Sequence, residues 1–137
     1  MINSRSLSDL NPKVAEMCSE FIARCKDEQI DVIITSTYRD GASQDALYAQ
    51  GRTLPGNKVT RAKAGQSFHN WKVAFDFCPI VNGKAQWDDA KLFERCGVIG
   101  ESVGLEWAGR WKTFKELAHL QYTNGLSLQD FQSGKSI

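Results

Sequence analysis

Apolar residues recur along residues 12–27 at the spacing of one face of an α-helix. This apolar stripe consists of Val14, Met17, Cys18, Phe21, Ile22 and Cys25. Asn11 and Pro12 lie at its start, and these residue types are favoured at the N-cap and at the first helical position. The pattern therefore predicts an amphipathic helix over 12–27 that packs its apolar face against a core.

Short runs of β-branched and aromatic residues indicate extended segments elsewhere in the chain. They predict strands over 31–37, 72–78, 105–107 and 117–122. Asn82-Gly83 is typical of a tight turn, and a second turn is predicted at Ala108-Gly109. Because these strands are short and separated by turns or helices, they predict a small and mainly antiparallel sheet.

Helical segments are predicted over 43–50, 87–103 and 127–131, with Gly51 and Gly104 ending the first two. Strands and helices alternate irregularly and no internal repeat is present, which is typical of an α+β fold. A chain of 137 residues has the size of one domain with one core. We therefore expect a single compact α+β domain over residues 1–137, with helices flanking the sheet.

The net charge of the chain argues against nucleic acid as a partner. The chain has 17 Lys and Arg against 16 Asp and Glu, a formal net charge of +1, so it has no general field that would attract nucleic acid. Basic residues are concentrated only in the predicted loop over 52–65, where nucleic-acid binding remains a minor alternative. These residues are Arg52, Lys58, Arg61 and Lys63.

Hydropathy and cysteine spacing bear on the compartment. No apolar run approaches the roughly 20 residues that cross a bilayer, and the N-terminal residues have no apolar segment typical of a secretory signal. We therefore expect synthesis in a cytoplasm and no membrane insertion. The four cysteines show no C-x-x-C spacing and are expected to be buried, reduced thiols.

Candidate metal ligands lie beside two of the predicted strands. Period-two alternation over 72–78 places Asp76 opposite three large apolar residues, and His119 shares a face with Gln121 in the last strand. His69 precedes Asp76 by seven residues, and a His, Asp, His set suits zinc with one position open for water. Glu116, three residues before His119, is suited to be a general base and acid. From spacing alone, hydrogen-bonded structural roles for these residues are an open alternative.

Residues 67–76, Ser-Phe-His-Asn-Trp-Lys-Val-Ala-Phe-Asp, resemble the S-x-H-x-x-G-x-A-x-D motif of the zinc D-Ala-D-Ala carboxypeptidase and L-alanyl-D-glutamate peptidase family. Residues 116–119, Glu-Leu-Ala-His, resemble its second motif, (D/E)-x-x-H. Further matches follow the order and spacing of the phage-endolysin branch: residues 35–40, Gln44, Leu47, Tyr48, residues 51–53 and 104–107, Gly109, Trp111, Lys112 and Phe114. The resemblance extends from about residue 7 to residue 121.

The resemblance implies a zinc DD-peptidase-like fold and specific roles for five residues. Zinc would be held by His69, Asp76 and His119, and Glu116 would be the catalytic acid and base. Arg39 would polarise the scissile carbonyl and its developing oxyanion, a task for which a permanently charged guanidinium is suited.

Three further residues are candidates for substrate binding. Ser67 would support the site or would be a turn former. Lys72 stands where the family has glycine, and by strand parity it would share a face with Asp76 and contact substrate carboxylates, or else be solvated. Trp107 would line the cleft with Trp111, or else belong to the core. The sequence also departs from the family pattern at Ala118, Leu120 and residues 108–110, and none of these departures removes a ligand or the acid and base.

The function implied is that of a phage-type endolysin, a zinc metallopeptidase that hydrolyses peptidoglycan stem peptides at the L-alanyl-D-glutamate bond. Such a monomer would accumulate in the host cytoplasm and reach the periplasmic wall after a holin-like protein permeabilises the membrane. One alternative is a D-Ala-D-Ala dipeptidase or carboxypeptidase of the same fold. Another is a non-catalytic, zinc-stabilised binding module, which would need neither Glu116 nor Arg39.

Overall fold

The computed structural model describes residues 1–137 and contains four α-helices around a five-stranded sheet. The helices are α1 (Pro12–Asp27), α2 (Gly41–Ala49), α3 (Ala90–Val103) and α4 (Leu128–Gln132). The strands are β1 (Asp31–Ser36), β2 (Ala74–Val81), β3 (Lys84–Ala85), β4 (Glu106–Trp107) and β5 (His119–Gln121). Short 3-10 helices cover Leu7–Asp9, Phe68–Trp71 and Ala108–Arg110. This arrangement confirms the predicted α+β class.

The sheet is antiparallel throughout, in the order β1-β2-β5-β4, with β3 paired to the far end of β2. Strand β2 is central, and its register places Asp76 opposite His119 of β5. On the other side of β2, Asp76 is opposite Ser36 of β1, where the register shifts at a bulge between Ile34 and Ser36. Two residues distant in sequence therefore become direct cross-strand neighbours.

Helices α1 and α3 cover one face of the sheet and enclose the aromatic core. The Phe21 ring of α1 lies 5.9 Å from Phe75 and 5.1 Å from Phe77, and Phe77 lies 5.5 Å from Phe93 of α3. All four cysteines are buried and reduced, as their spacing predicted. Because both Phe75 and Phe77 point into this core, strand parity directs Asp76 to the opposite face.

Capping side chains explain where the helices begin and end. Asn11 accepts a hydrogen bond from the Lys13 N–H, which confirms it as the N-cap of α1. Asp40 accepts from the Ser43 N–H, so α2 begins two residues before the predicted start. Asp89 caps α3 in the same way, which moves its start from residue 87 to Ala90. Gly104 ends α3 with a φ of 105°, as predicted.

Strand β2 is displaced toward the C-terminus from its predicted bounds of 72–78. Residues 68–71 form a 3-10 helix, and Lys72 ends it with a φ of 65°, so the extended backbone begins only at Ala74. At its other end β2 continues through Pro79, whose carbonyl accepts from the Gln86 N–H. The nitrogen and the carbonyl of a strand residue point to the same side of the strand, so the Pro79 nitrogen points away from β1. The lack of an N–H at Pro79 therefore removes no hydrogen bond between β2 and β1. The predicted Asn82-Gly83 turn then joins β2 to β3.

The last predicted strand is shorter than its hydrophobic pattern suggested. Only residues 119–121 of the segment 117–122 are strand, because β5 pairs with just three residues of β2 and two of β4. None of the helices combines the length and the apolar composition that a membrane span requires.

Candidate active site

Three of the predicted site residues converge at the centre of the sheet. His69 lies on the 3-10 helix before β2, Asp76 on β2 and His119 on β5. Asp76 Oδ1 is 3.2 Å from His69 Nε2 and 3.4 Å from His119 Nδ1. One ligand atom from each of the three residues lies within 4.8 Å of the other two, which is the spacing of donors around one metal ion.

Hydrogen bonds orient both imidazole rings toward this cluster. His69 Nδ1 lies 2.9 Å from the Thr37 carbonyl oxygen, which can only accept, so Nδ1 carries the proton and Nε2 is left as a ligand. His119 Nε2 is 2.7 Å from Gln121 Oε1, which leaves Nδ1 facing Asp76. His119 Nδ1 is buried and makes no well-directed hydrogen bond, although Asp76 Oδ1 and Glu116 Oε2 each lie 3.4 Å away. A buried nitrogen in this position, beside a carboxylate and a second imidazole, fits a zinc ion.

The electrostatics of the cluster favour a charged carboxylate beside a protonated imidazole when no metal is bound. Burial by itself would raise the pKa of Asp76, but the charges and hydrogen bonds of His69 and His119 hold that pKa well below its usual range. Burial would likewise lower the pKa of His119, but Asp76 and Glu116 raise it above its ordinary value. A metal ion must therefore displace a proton from this site.

Zinc affinity is accordingly expected to fall as the pH falls. Protons compete for His119 at and below its raised pKa, so the affinity should drop by about tenfold per pH unit in that range. Competition with a chromophoric chelator from about pH 8 to about pH 5.5 measures this dependence. A zinc affinity that stays constant across this range would contradict the proposed exchange of proton for metal.

Glu116 lies at the exposed side of the cluster, in the segment that leads into β5. Its Oε2 is 3.4 Å from His119 Nδ1, and its side chain is 57% exposed, so solvent and substrate can reach the carboxylate. This position beside the ligand cluster suits a group that exchanges protons with a water at the metal. Its catalytic role stays a prediction.

Arg39 contributes the positive charge of the site. Its guanidinium donates to Gln44 Oε1 at 2.9 Å and to Ser36 Oγ at 3.4 Å, and its buried Nε has no partner. Burial lowers the pKa of Arg39, and the negative charges of Asp76 and Glu116 act against this shift. A guanidinium stays charged in such surroundings, which the predicted oxyanion-binding role of Arg39 requires.

Comparisons with known proteins place this geometry in a family. A family profile described as D-alanyl-D-alanine carboxypeptidase matches residues 60–122, a range that contains the ligand cluster and Glu116. The chain is also 38% identical over 129 residues to the peptidoglycan L-alanyl-D-glutamate endopeptidase CwlK of Bacillus subtilis, covering 83% of this chain and 74% of CwlK. The chain belongs to the D-alanyl-D-alanine carboxypeptidase family of peptidases.

Solved structures share the fold of this carboxypeptidase-family member. The L-Ala D-Glu endopeptidase ChiX of Serratia marcescens aligns with a TM-score of 0.66 and 18% identity, over 95% of this chain and 92% of ChiX. The vancomycin-resistance D,D-pentapeptidase VanY, whose crystal structure contains Zn(II), aligns with a TM-score of 0.63 and 12% identity, over 90% of this chain and 83% of VanY. The family and the His, Asp, His donor set confirm the prediction that the cofactor is zinc.

The sequence interpretation assigned no role to three residues that orient the ligand His119 and the guanidinium-bearing Arg39. Gln121 holds His119 and donates through Nε2 to Glu106 Oε2 at 2.9 Å. Asn70 donates to the Arg39 carbonyl oxygen at 2.9 Å, and the buried Gln44 holds the Arg39 guanidinium. Gln121 could have been found from its shared strand face with His119. No local pattern connects Gln44 or Asn70 with Arg39.

The structure gives structural contacts to two of the candidate substrate residues, Ser67 and Trp107. Ser67 is the N-cap of the 3-10 helix, and its Oγ accepts from the His69 N–H at 3.2 Å, so it positions a ligand. Trp107 lies in the core, which corrects its prediction as a substrate residue. It is 4% exposed, and its indole nitrogen donates to the Leu117 carbonyl at 2.8 Å. A side chain at Gly97 or Gly109 would overlap its ring. Trp111 lies beside the ligand cluster, with its ring centroid 5.5 Å from that of His119.

Lys72 does not lie on the Asp76 face of β2, so the position predicted for it from strand parity is wrong. Lys72 precedes the strand, and its ammonium group lies 4.9 Å from the Tyr38 ring centroid. Strand parity therefore does not apply to its side chain. Its φ of 65° is also the reason why the family motif has glycine at this position, since glycine adopts left-handed backbone without steric cost.

Replacing Lys72 should reveal this backbone strain. Both Lys72→Gly and Lys72→Ala remove the contact with Tyr38, but only glycine relieves the left-handed conformation. We expect Lys72→Gly to be more stable than Lys72→Ala by about 1 kcal/mol. Urea unfolding of both zinc-loaded variants measures the difference. Equal stability would show that the backbone at residue 72 relaxes without cost.

Proposed function

We propose that this peptidase hydrolyses the L-alanyl-D-glutamate bond of peptidoglycan stem peptides, with zinc held by His69, Asp76 and His119. The observation that carries the proposal is the position of Glu116 beside the ligand cluster, in a chain 38% identical to an L-alanyl-D-glutamate endopeptidase. A non-catalytic, zinc-stabilised module would need no exposed carboxylate beside its metal and no unpartnered guanidinium nitrogen.

The chain's own residues supply the proton transfers and the anion stabilisation. A zinc ion at this site would lower the pKa of a water to about 7 and polarise the scissile carbonyl. Glu116 takes a proton from the attacking water and returns it to the amide nitrogen as the carbon–nitrogen bond breaks. Arg39 stabilises the negative charge that develops on the carbonyl oxygen, and Gln44 and Ser36 hold its guanidinium in place.

Mass spectrometry of peptidoglycan digests shows which bond is cleaved. Cleavage at the proposed site releases stem peptides with a new glutamate amino terminus and leaves alanine on the glycan. Release of free D-alanine from the stem terminus would instead support the D-Ala-D-Ala carboxypeptidase alternative. Release of neither product by zinc-loaded protein would overturn both.

We further propose that the protein is a phage endolysin that acts as a monomer. The order and spacing of its motifs, which resemble the phage-endolysin branch, support this role. The enzyme would accumulate in the host cytoplasm and reach the wall in the periplasm once a holin-like protein opens the inner membrane. Induction in a Gram-negative host should leave the culture turbid until a permeabilising protein is co-expressed. Lysis with the same timing in its absence would overturn the holin dependence.

A further inference from the structure

Basic residues without acidic neighbours are concentrated in two segments that border the active site. Residues 46–75 and 107–115 together contain eight of the 17 Lys and Arg residues and none of the 16 Asp and Glu residues. The first segment carries His69 and ends immediately before Asp76, and the second ends immediately before Glu116. A chain of net charge +1 therefore concentrates positive charge in the segments that lead into its catalytic groups.

Contacts join these two segments beside the site. The Arg61 guanidinium carbon lies 3.7 Å from the centroid of the Phe114 ring, two residues before Glu116. The first segment is anchored next to Arg39, because Gln44 donates to the Ala62 carbonyl at 2.7 Å while it accepts from Arg39. Phe114 is 60% exposed and has a φ of 53°, a conformation that a non-glycine residue keeps only when neighbours support it.

Most of the basic side chains at these segments have no acidic partner. We call five of them the cationic rim: Lys58, Arg61, Lys63, Lys112 and Lys115. All five are exposed and none forms a salt bridge, although arginines elsewhere in the chain pair with glutamates. Asp45 borders the first segment, and its carboxylate accepts a hydrogen bond from the Ala64 N–H. The positive charge of the cationic rim is therefore available to an anionic ligand.

We propose that the cationic rim binds the free carboxylates of the stem peptide and so raises the affinity of the enzyme for the wall, an inference that rests on the proposed function. An alanyl-glutamate bond uses the amino group of glutamate, which leaves this residue with two carboxyl groups. One continues the stem and the other is a free carboxylate beside the scissile bond. Several exposed charges of one sign around a cleft concentrate such an anionic substrate at low ionic strength.

Binding to purified sacculi tests the cationic rim without relying on turnover. The zinc-loaded Glu116→Gln protein is compared with two derivatives that each lose three positive charges. One carries Lys58→Gln, Lys63→Gln and Lys112→Gln, which remove charge from both segments. The matched control carries Lys13→Gln, Lys84→Gln and Lys91→Gln, at exposed positions outside both segments and without acidic partners. Cosedimentation measures the affinity of each.

The rim derivative should bind at least about fivefold more weakly than the parent at low salt, and the control less than about twofold. The difference in affinity between the parent and the rim derivative should disappear at about 0.5 M salt, where screening is nearly complete. Sacculi whose carboxylates have been converted to amides should bind parent and rim derivative equally. Equal losses in rim and control derivatives, or a rim effect that persists on amidated sacculi, would overturn the proposal.

Two further outcomes separate this inference from its alternatives. If wild-type protein binds sacculi through the cationic rim but releases no fragments, the proposed function fails and the carboxylate-binding surface stands. If the rim derivative loses affinity for a DNA duplex but keeps its affinity for sacculi, the surface binds nucleic acid and the proposal is overturned.

Discussion

Glu116→Gln is expected to lower the turnover of peptidoglycan cleavage by about 10²–10⁴-fold, the range for a positioned general acid and base. Glutamine has nearly the same shape but cannot take a proton from water or return it to the leaving nitrogen. Glu116 is 57% exposed and is not one of the three ligands, so the zinc content and the unfolding transition should stay at wild-type values. Fragment release from sacculi, measured at saturating substrate, gives the turnover.

A matched control distinguishes this role from a general effect of charge. Glu16→Gln removes an exposed carboxylate from α1, far along the chain from the site, and should leave turnover unchanged. A Glu116→Gln enzyme with turnover near that of the wild type would show that another group transfers the proton. Loss of zinc from this variant would instead make Glu116 a ligand.

Removal of zinc is expected to abolish activity, and zinc alone among added ions at equal low concentration should restore it fully. The buried Nδ1 of His119 makes no well-directed hydrogen bond within the protein, and it faces the same point as Asp76 and His69, so a metal ion would be held by all three. Asp76→Asn keeps the size of the side chain but removes the charge between the two imidazoles. We expect this variant to lose both zinc and activity, whereas Glu116→Gln loses only activity.

Metal analysis by mass spectrometry, together with the peptidase assay, measures both effects. Wild-type protein should contain one zinc ion per chain, and dialysis against a chelator should remove it. Full activity in metal-free protein would contradict the assignment of the ligand cluster. Zinc content and activity at wild-type levels in Asp76→Asn would show that the two histidines hold the metal without this carboxylate.

Predictions based on local signals agreed best with the structure. The apolar stripe of α1, its Asn11 cap and the Gly104 end of α3 depend on residues adjacent in sequence, and all three are confirmed. The starts of α2 and α3 were misplaced by two or three residues. There, the side chains of Asp40 and Asp89 decide where helical backbone begins.

Predictions of where a side chain points were less accurate. Strand parity applied to Lys72 failed because a 3-10 helix and a left-handed residue precede β2, and an alternating pattern does not show where extended backbone starts. Trp107 is as apolar as a cleft residue would be, but two glycines and the Leu117 carbonyl hold it in the core. An exposed and a buried tryptophan have the same local sequence signal.

The sequence by itself determined the α+β class and brought forward the candidate ligand and catalytic residues, because motif spacing and hydrophobic periodicity are properties of the chain. Only the tertiary structure decided which nitrogen of each histidine faces the metal. His69 is oriented by the Thr37 carbonyl and His119 by Gln121, and Asp76 reaches both through the pairing of β2 with β5. Ring orientation depends on hydrogen bonds and strand register between distant segments, and these exist only in the folded chain.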